Sequence, residues 1–531
     1  MRRTVALALI ETGANQRYLF GTNKLAHAVG ASHLTREATT TWVVDAAGAA
    51  GITTESRVKE DGAEIMLASS GKAMVLLPSP EAAQDLVFAV TSRALAEAPG
   101  LRLHGAVSDS FEWNSGQLPD AIRVAHERSR PARSAAETND LRFGRLPVVA
   151  DCRYSSAPAA VGITEGATTV PVSHEVAAKA SARDAGYERL RQIVGKNGNE
   201  RLPQDLGTLE GRLTASEKWI GVIHADGNGL GEVFTSFDRL LDQALGQPAS
   251  DREHVDALRS LSGLLDQITE RALADACAST WSDPDTLVLP LVVGGDDLTM
   301  VCEGRLAHRF AADFAQMFVE RSQDELAKPG NEVAARILGA ALSHPAVGMS
   351  VGVAVTKPHF PFSTGHDLAV DLLASAKEIK RELRDSDGKV IPAASLDVHV
   401  LFDSTATDLG SVRTIPPSGV ASWAGPFVVH TTADPVDSEW LGRHRWDDME
   451  NAIGLLVEEE DGRRVVASSQ SHALRTALLR STDEATNRLD VLRHRTGERL
   501  TEAGLGTVEI ADGCGFTRWI DAMTLADLEL T

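Results

Sequence analysis

The sequence predicts an α+β protein containing two ferredoxin-like βαββαβ units, or palm domains, a small inserted domain and a helical C-terminal domain. Three observations lead to this. The same order of strand-like and helix-like patterns occurs twice, in residues 1–110 and 216–402. In each copy two strand-like runs flank a tight turn at the equivalent place, Ser69 to Lys72 in the first and Gly294 to Asp297 in the second. The composition, 43% hydrophobic and 24% charged over 531 residues, is that of a globular chain with several cores.

The first copy opens with the apolar run Val5 to Ile10, which Glu11 ends too early for a secretory leader and which no cleavage site follows, so it reads as a buried strand. A helical stretch begins near Gln16. AEIMLASSGKAMVLLP supplies two strands and their turn, Leu86, Val87, Val90 and Ala94 mark an apolar helix face, and LRLHGAV closes the unit. The second copy gives WIGVIHADGNGLG, a helical region, and TLVLPLVVGGDDLTMVCEG. A helix with Leu306, Phe310, Phe314 and Phe318 four residues apart follows, and then the buried strand VGMSVGVAV. Residues 111–215, rich in Pro, Ser, Arg and Ala with weak periodicity, read as the inserted domain. In 403–531, a Ser, Thr, Pro and Gly rich linker runs to about residue 440, and helical patterns including Leu474, Leu478, Leu489 and Leu492 return from Trp446.

Charge narrows the function. Lys and Arg number 52 against 74 Asp and Glu, and the net charge of -22 repels nucleic acid at long range, so any RNA contact needs a local basic patch or a partner subunit. Arg475, Arg480, Arg488, Arg493, Arg495 and Arg499 are interleaved with Asp483, Glu484 and Asp490, which reads as a solvated helix. Cys152, Cys277, Cys302 and Cys514 form no C-x-x-C pair, which points to a reducing, cytoplasmic setting, with Cys152 and Cys302 as small buried hydrophobes. No run of 18 apolar residues occurs, so no membrane span is expected.

The chemistry concentrates in ADGNGLG (Ala225 to Gly231) and VVGGDDLTM (Val292 to Met300), each at the end of a predicted strand. In a palm the first strand and the hairpin turn lie side by side, so Asp226, Asp296 and Asp297 are expected to converge on Mg²⁺ or Mn²⁺. Adjacent residues of an extended strand point to opposite faces, and Asp296 is the favoured ligand, with the role of Asp297 open. Gly294 and Gly295 permit positive φ and close backbone approach. Gly227, Asn228, Gly229 and Gly231 form a bare loop where a triphosphate can lie against N–H groups. Either segment alone is ordinary turn chemistry; their matching places in one palm carry the reading.

These motifs together resemble the large polymerase/cyclase subunit of type III CRISPR effector complexes. QRYLFGTNKLAHAVGAS (Gln16 to Ser32), RLPVVADCRYSSAPA (Arg145 to Ala159), SVGVAVTKPHFPF and LLASAKEIKR (Leu372 to Arg381) extend the resemblance over residues 1 to 400. It implies that the second palm joins ATP into cyclic oligoadenylates, with Asp226, Asp296 and Asp297 as catalytic acids and Lys377 near the phosphates. It also implies other type III CRISPR subunits and guide or target RNA as partners.

The sequence departs from that pattern in two places. Asn228 stands where the family often has a second acid, and the chain starts directly with the first palm, without the family's frequent HD nuclease domain; His366-Asp367 reads as a turn or helix-start pair. A GGDEF diguanylate cyclase fits less well, since Asp297 replaces Glu, Leu298 replaces Phe and no Arg-x-x-Asp precedes the hairpin. The alternatives to an ATP cyclase are a cyclase making another cyclic nucleotide and a non-catalytic scaffold subunit of the ribonucleoprotein.

Overall fold

The computed structural model describes residues 3–22, 24–138, 148–195, 219–280, 288–358, 360–402, 408–413, 415, 419–506, 509–511 and 514–530. The first three residues of the Arg145 to Ala159 motif, the expected boundary near residue 215 and part of the expected linker lie outside them.

The first sheet consists of β1 (Thr4–Gly13), β2 (Glu64–Ser69), β3 (Lys72–Leu77) and β4 (Arg102–Val107) in the order β2-β3-β1-β4, every neighbour antiparallel. Phe111–Glu112 adds a short pairing to β1. Between β1 and β2 the chain makes four helices, the longest being α1 (Leu25–Thr39). Helix α2 (Pro80–Glu97) links β3 to β4; it is capped by Ser79, which accepts from the Ala82 N–H, and buries Ala83, Leu86, Val90 and Ala94.

The described residues of 111–215, a stretch expected as a small inserted domain, pack largely on this unit. Helix α3 (Leu118–Thr138) lies on β1 and β4, and α4 (His174–Val194) lies along α1. At one crossing Gly30 and Gly186 let α1 and α4 approach so closely that a β-carbon on Gly30 would meet the Lys179 carbonyl oxygen at 1.9 Å. Between these helices Val161–Glu165 pairs with Thr168–Val172 in a hairpin.

The second sheet contains β5 (Ile220–Asn228), β6 (Val288–Gly294), β7 (Asp297–Glu303), β8 (Gly348–Thr356), β9 (Ala393–Val400) and β10 (Phe427–Thr431), in the order β10-β9-β8-β5-β7-β6. Its β6-β7-β5-β8 portion repeats the order of the first sheet. Two strands extend it: β9 runs parallel to β8, and β10 comes from the segment expected as linker. Helices α5 (Asp251–Thr280) and α6 (Ala307–Leu326) cover one face, where Phe310, Phe314 and Phe318 are fully buried. Helix α7 (Phe362–Lys377) covers the other. With both faces covered, all nine residues of β8 are buried, which is why VGMSVGVAV reads as a continuous apolar run.

The tail packs as α8 (Trp446–Val457), α9 (Ser468–Arg480), α10 (Thr482–Thr496) and α11 (Trp519–Glu529), with α11 against α8. Three arginines of the tail's basic series are ion-paired, Arg488 to Glu484, Arg493 to Asp490 and Arg499 to Glu458. Cys152 and Cys302 are buried. Among the described residues no helix is long and apolar enough to cross a membrane.

Candidate functional site

The β6–β7 hairpin places its acids beside the end of β5. Leu298 pairs with Ala225, so the next position sets Asp297 opposite Asp226 on one side of the sheet. His224, two residues before Asp226 and therefore on the same side, lies 3.6 Å from Asp297 through Nδ1 and is 2.9 Å from Thr299 Oγ1. Asp296 takes the other side. Its carboxylate fills the space over Gly227, where a β-carbon would sit 2.7 Å from Oδ2. The alternation that separates the two hairpin acids thus puts Asp297 on the side of Asp226 and Asp296 on the other.

The turn is held from outside its own sheet. Gly295, at φ +62°, donates its N–H to Asp266 Oδ1 at 2.5 Å and accepts at its carbonyl from Thr269 Oγ1 at 2.5 Å. Asp266 and Thr269 are on α5, and Arg189 of α4 donates to the Val293 carbonyl at 3.1 Å. Neither Asp266 nor Thr269 carries a sequence signal of this role; their partner is a backbone group set by the fold.

The glycines divide among different tasks. Gly227 is a ladder residue opposite Met349, not part of a bare loop, and it clears room for Asp296. Gly229 has φ +80° and precedes the short helix Leu230–Thr235, in whose first turn Gly231 stands. Asn228 accepts from Ser350 Oγ at 2.9 Å, so its amide oxygen is engaged by β8. Gly294 faces the first unit, where a β-carbon on it would lie 3.1 Å from Ser70 Cβ. The two hairpins therefore meet, and a cavity of about 430 Å³ between them is lined by Asn15, Ser70 and Lys72 on one side and Asp266, Asp296 and Asp297 on the other.

The first sheet carries a different pair at the equivalent register. Glu11 of β1 faces Lys72, the first residue of β3, as Asp226 faces Asp297. Lys72 Nζ is 3.2 Å from Glu11 and 3.1 Å from His126 Nε2. Burial alone would raise the Glu11 pKa; the His126 hydrogen bond and the Lys72 and His126 charges outweigh it and bring it to about 2. That copy keeps one acid and answers it with an ammonium group.

In the second sheet the acids repel. Burial, then the charge of Asp226, raises Asp296 to about 7 against the partial relief of Lys377. Asp297 is pushed well above the usual carboxylate range by burial and by Asp226 and Asp296. Lys377, the last residue of α7, forms an ion pair with Asp226 Oδ2. His366, expected at a turn or helix start, lies within α7, buried against Phe20 and His224 with ring centroids 4.3 and 5.3 Å away; burial lowers its pKa to about 3.

The acids fit a hard divalent cation. Asp297 Oδ1 is buried without a hydrogen-bond partner, and the surrounding negative charge is only partly neutralised. Among the described residues no three His, Cys, Asp or Glu side chains gather round one point. The fit is to an ion such as Mg²⁺, which takes one or two carboxylates and completes its shell with water and phosphate oxygens.

Two hairpin-tipped sheets thus face one another across a cleft, and the hairpin of the second carries the acids. Residues 219–386 match the family model of the second palm domain of Cas10/Cmr2. The fold of the chain is shared with a Csm1–Csm4 cassette solved with cA4 (12% identity, 100% of this chain and 70% of that one, TM-score 0.53). It is shared also with the cassette solved with pppApApA (12%, 99% and 69%, 0.55) and with Csm1 from T. onnurineus (12%, 99% and 69%, 0.52). No curated protein matches the chain.

Proposed function

We propose that the chain is a metal-dependent nucleotidyltransferase that joins ATP into cyclic oligoadenylates within a type III CRISPR-type defence system. Both sheets serve as ferredoxin-like palms, and the nucleotides occupy the cleft between their hairpins. The observation that carries this reading is the register match: Asp226 and Asp297 face one another at the place where the first sheet has Glu11 and Lys72. Similar folds solved with cA4 and pppApApA support the choice of product.

Asp226 and Asp297, with Asp296 beside them, would hold Mg²⁺ or Mn²⁺, which when bound lowers the pKa of a ribose hydroxyl and neutralises phosphate charge. The protein's own contribution is mainly positioning and fixed charge, since phosphoryl-type transfer needs little covalent protein chemistry. Asp266 and Thr269 fix the aim of the acidic turn. Gly294 and Ser70 fix the spacing of the two hairpins. Lys377 supplies a cation at the rim, and pyrophosphate leaves as the attacking hydroxyl bonds to the α-phosphate of its neighbour. Other type III subunits and guide or target RNA are the partners, with RNA reached through a neighbour rather than through this acidic surface.

The test is to incubate the purified protein with each nucleoside triphosphate and Mg²⁺ or Mn²⁺, with and without RNA, and to assay for phosphatase-resistant products. The expected result is a cyclic adenylate product that disappears in Asp296→Ala, Asp297→Ala while the fold persists. Binding of ATP without product under all these conditions, partner subunits included, establishes a scaffold instead. Preferential use of GTP overturns the adenine assignment alone.

A further inference from the structure

Lys377 does not point away into solvent as a helix-end lysine ordinarily does; its ammonium group sits on the Asp226 carboxylate, both side chains about one-third exposed (30% and 34%). Asp226 is also the acid whose charge acts on both Asp296 and Asp297. The first sheet shows the same solution in permanent form. Lys72 is built into β3 opposite Glu11, so the equivalent acid has a covalently supplied cation in the strand beside it. In the second sheet that strand position is Asp297, and the lysine is borrowed from the last residue of α7, where the chain turns into the short 3₁₀ segment Glu378–Arg381. A flexible four-carbon stem at a helix end can withdraw in a way that a lysine fixed in a sheet cannot.

We propose that Lys377 is the resident counter-ion of the acidic site, a placeholder that occupies Asp226 until a divalent cation displaces it. This rests on the reading that the acids hold such an ion. The Asp226 carboxylate is then never left uncompensated, and loading becomes an exchange of one cation for another. The groups facing Lys377 are Asp226, Asp296 and Asp297, with His224 two residues before Asp226 on the same strand. Only Asp226 is in contact with it among these, so the exchange is localised at one carboxylate.

The experiment titrates the full chain with Mn²⁺ in the absence of nucleotide, following free Mn²⁺ by electron paramagnetic resonance, for wild type, Lys377→Met and Lys377→Arg, with circular dichroism confirming the fold of each. Removing a partly exposed ion pair that competes with the metal should tighten Mn²⁺ binding about threefold to tenfold in Lys377→Met. Lys377→Arg, which keeps the charge, should return toward the wild-type affinity. Equal or weaker Mn²⁺ binding by Lys377→Met overturns the placeholder role while leaving the metal site standing. No Mn²⁺ binding by either wild type or Lys377→Met overturns the metal site and this inference together.

Discussion

The Asp296 carboxylate rests on the bare backbone of Gly227, with no room between them for a methyl group. An acid on a hairpin turn is thus located by the absence of a side chain on the neighbouring strand, and the Asp-Gly pair of ADGNGLG has a steric reason independent of any loop.

Gly227→Ala is expected to push Asp296 out of place and abolish most product formation. The overpacking should lower stability by about 1–3 kcal/mol. Denaturant unfolding alongside a product assay checks both; an active, fully stable variant contradicts the contact.

Asp296→Asn is expected to stabilise the protein while removing activity. A carboxyl group raised to about 7 in the folded state, from its ordinary 3.8, binds more protons folded than unfolded between those values. Wild-type stability therefore falls as pH rises from about 4 to 7, and the amide variant escapes that loss. The expected advantage of the variant is near zero at pH 4 and about 1–3 kcal/mol at pH 8 without divalent cations. Thermal melts across that range, run with chelator, measure it; a pH-independent difference refutes the shift.

Glu64→Ala should be among the most damaging changes outside the acids. Its side chain is fully buried and is held by Arg252 at 2.7 Å and Arg259 at 2.8 Å, both on α5, across the boundary between the two units. Both arginines remain about one-third exposed (31% and 34%), so the loss is set at about 2–3 kcal/mol, below the full penalty for breaking a buried pair. A chemical denaturation series with Glu64→Gln as the milder change tests it, and a loss under 0.5 kcal/mol, a bound taken from ordinary surface substitutions, rejects it.

Thr269→Val removes one of the two side chains pinning Gly295 and should cost about 1 kcal/mol of stability. The sharper expectation is kinetic: kcat falls more than nucleotide affinity, because the hydrogen bond aims the acidic turn rather than holding substrate. An unchanged kcat shows that the turn needs no such support.

The parts of this arrangement that were legible in the sequence are those written locally. Val288 to Glu303 announces a hairpin because β-branched runs flank a Gly-Gly turn, and Phe310, Phe314 and Phe318 announce a buried helix by their spacing. Strand β10 was not legible, because Phe427 to Thr431 lies in a Ser, Thr, Pro and Gly rich stretch and is a strand only by pairing with β9. The packing of α4 along α1 was hidden because the two helices meet through the small residues Gly30 and Gly186, which carry no apolar signal. The hold of Asp266 and Thr269 on Gly295, and of Arg252 on Glu64 from 188 residues away, are contacts between distant segments that no local pattern encodes.

Helix α5 grips the first unit near its start, through Arg252 and Arg259, and the acidic turn further along, through Asp266 and Thr269. From Arg252 to Thr269 is about 25 Å of helix at 1.5 Å per residue. Such a rod acts as a lever: a tilt of about three degrees moves one grip relative to the other by roughly an ångström. The gap between the hairpins and the aim of the acids consequently change together, as one mechanical coordinate that any force on α5 would drive.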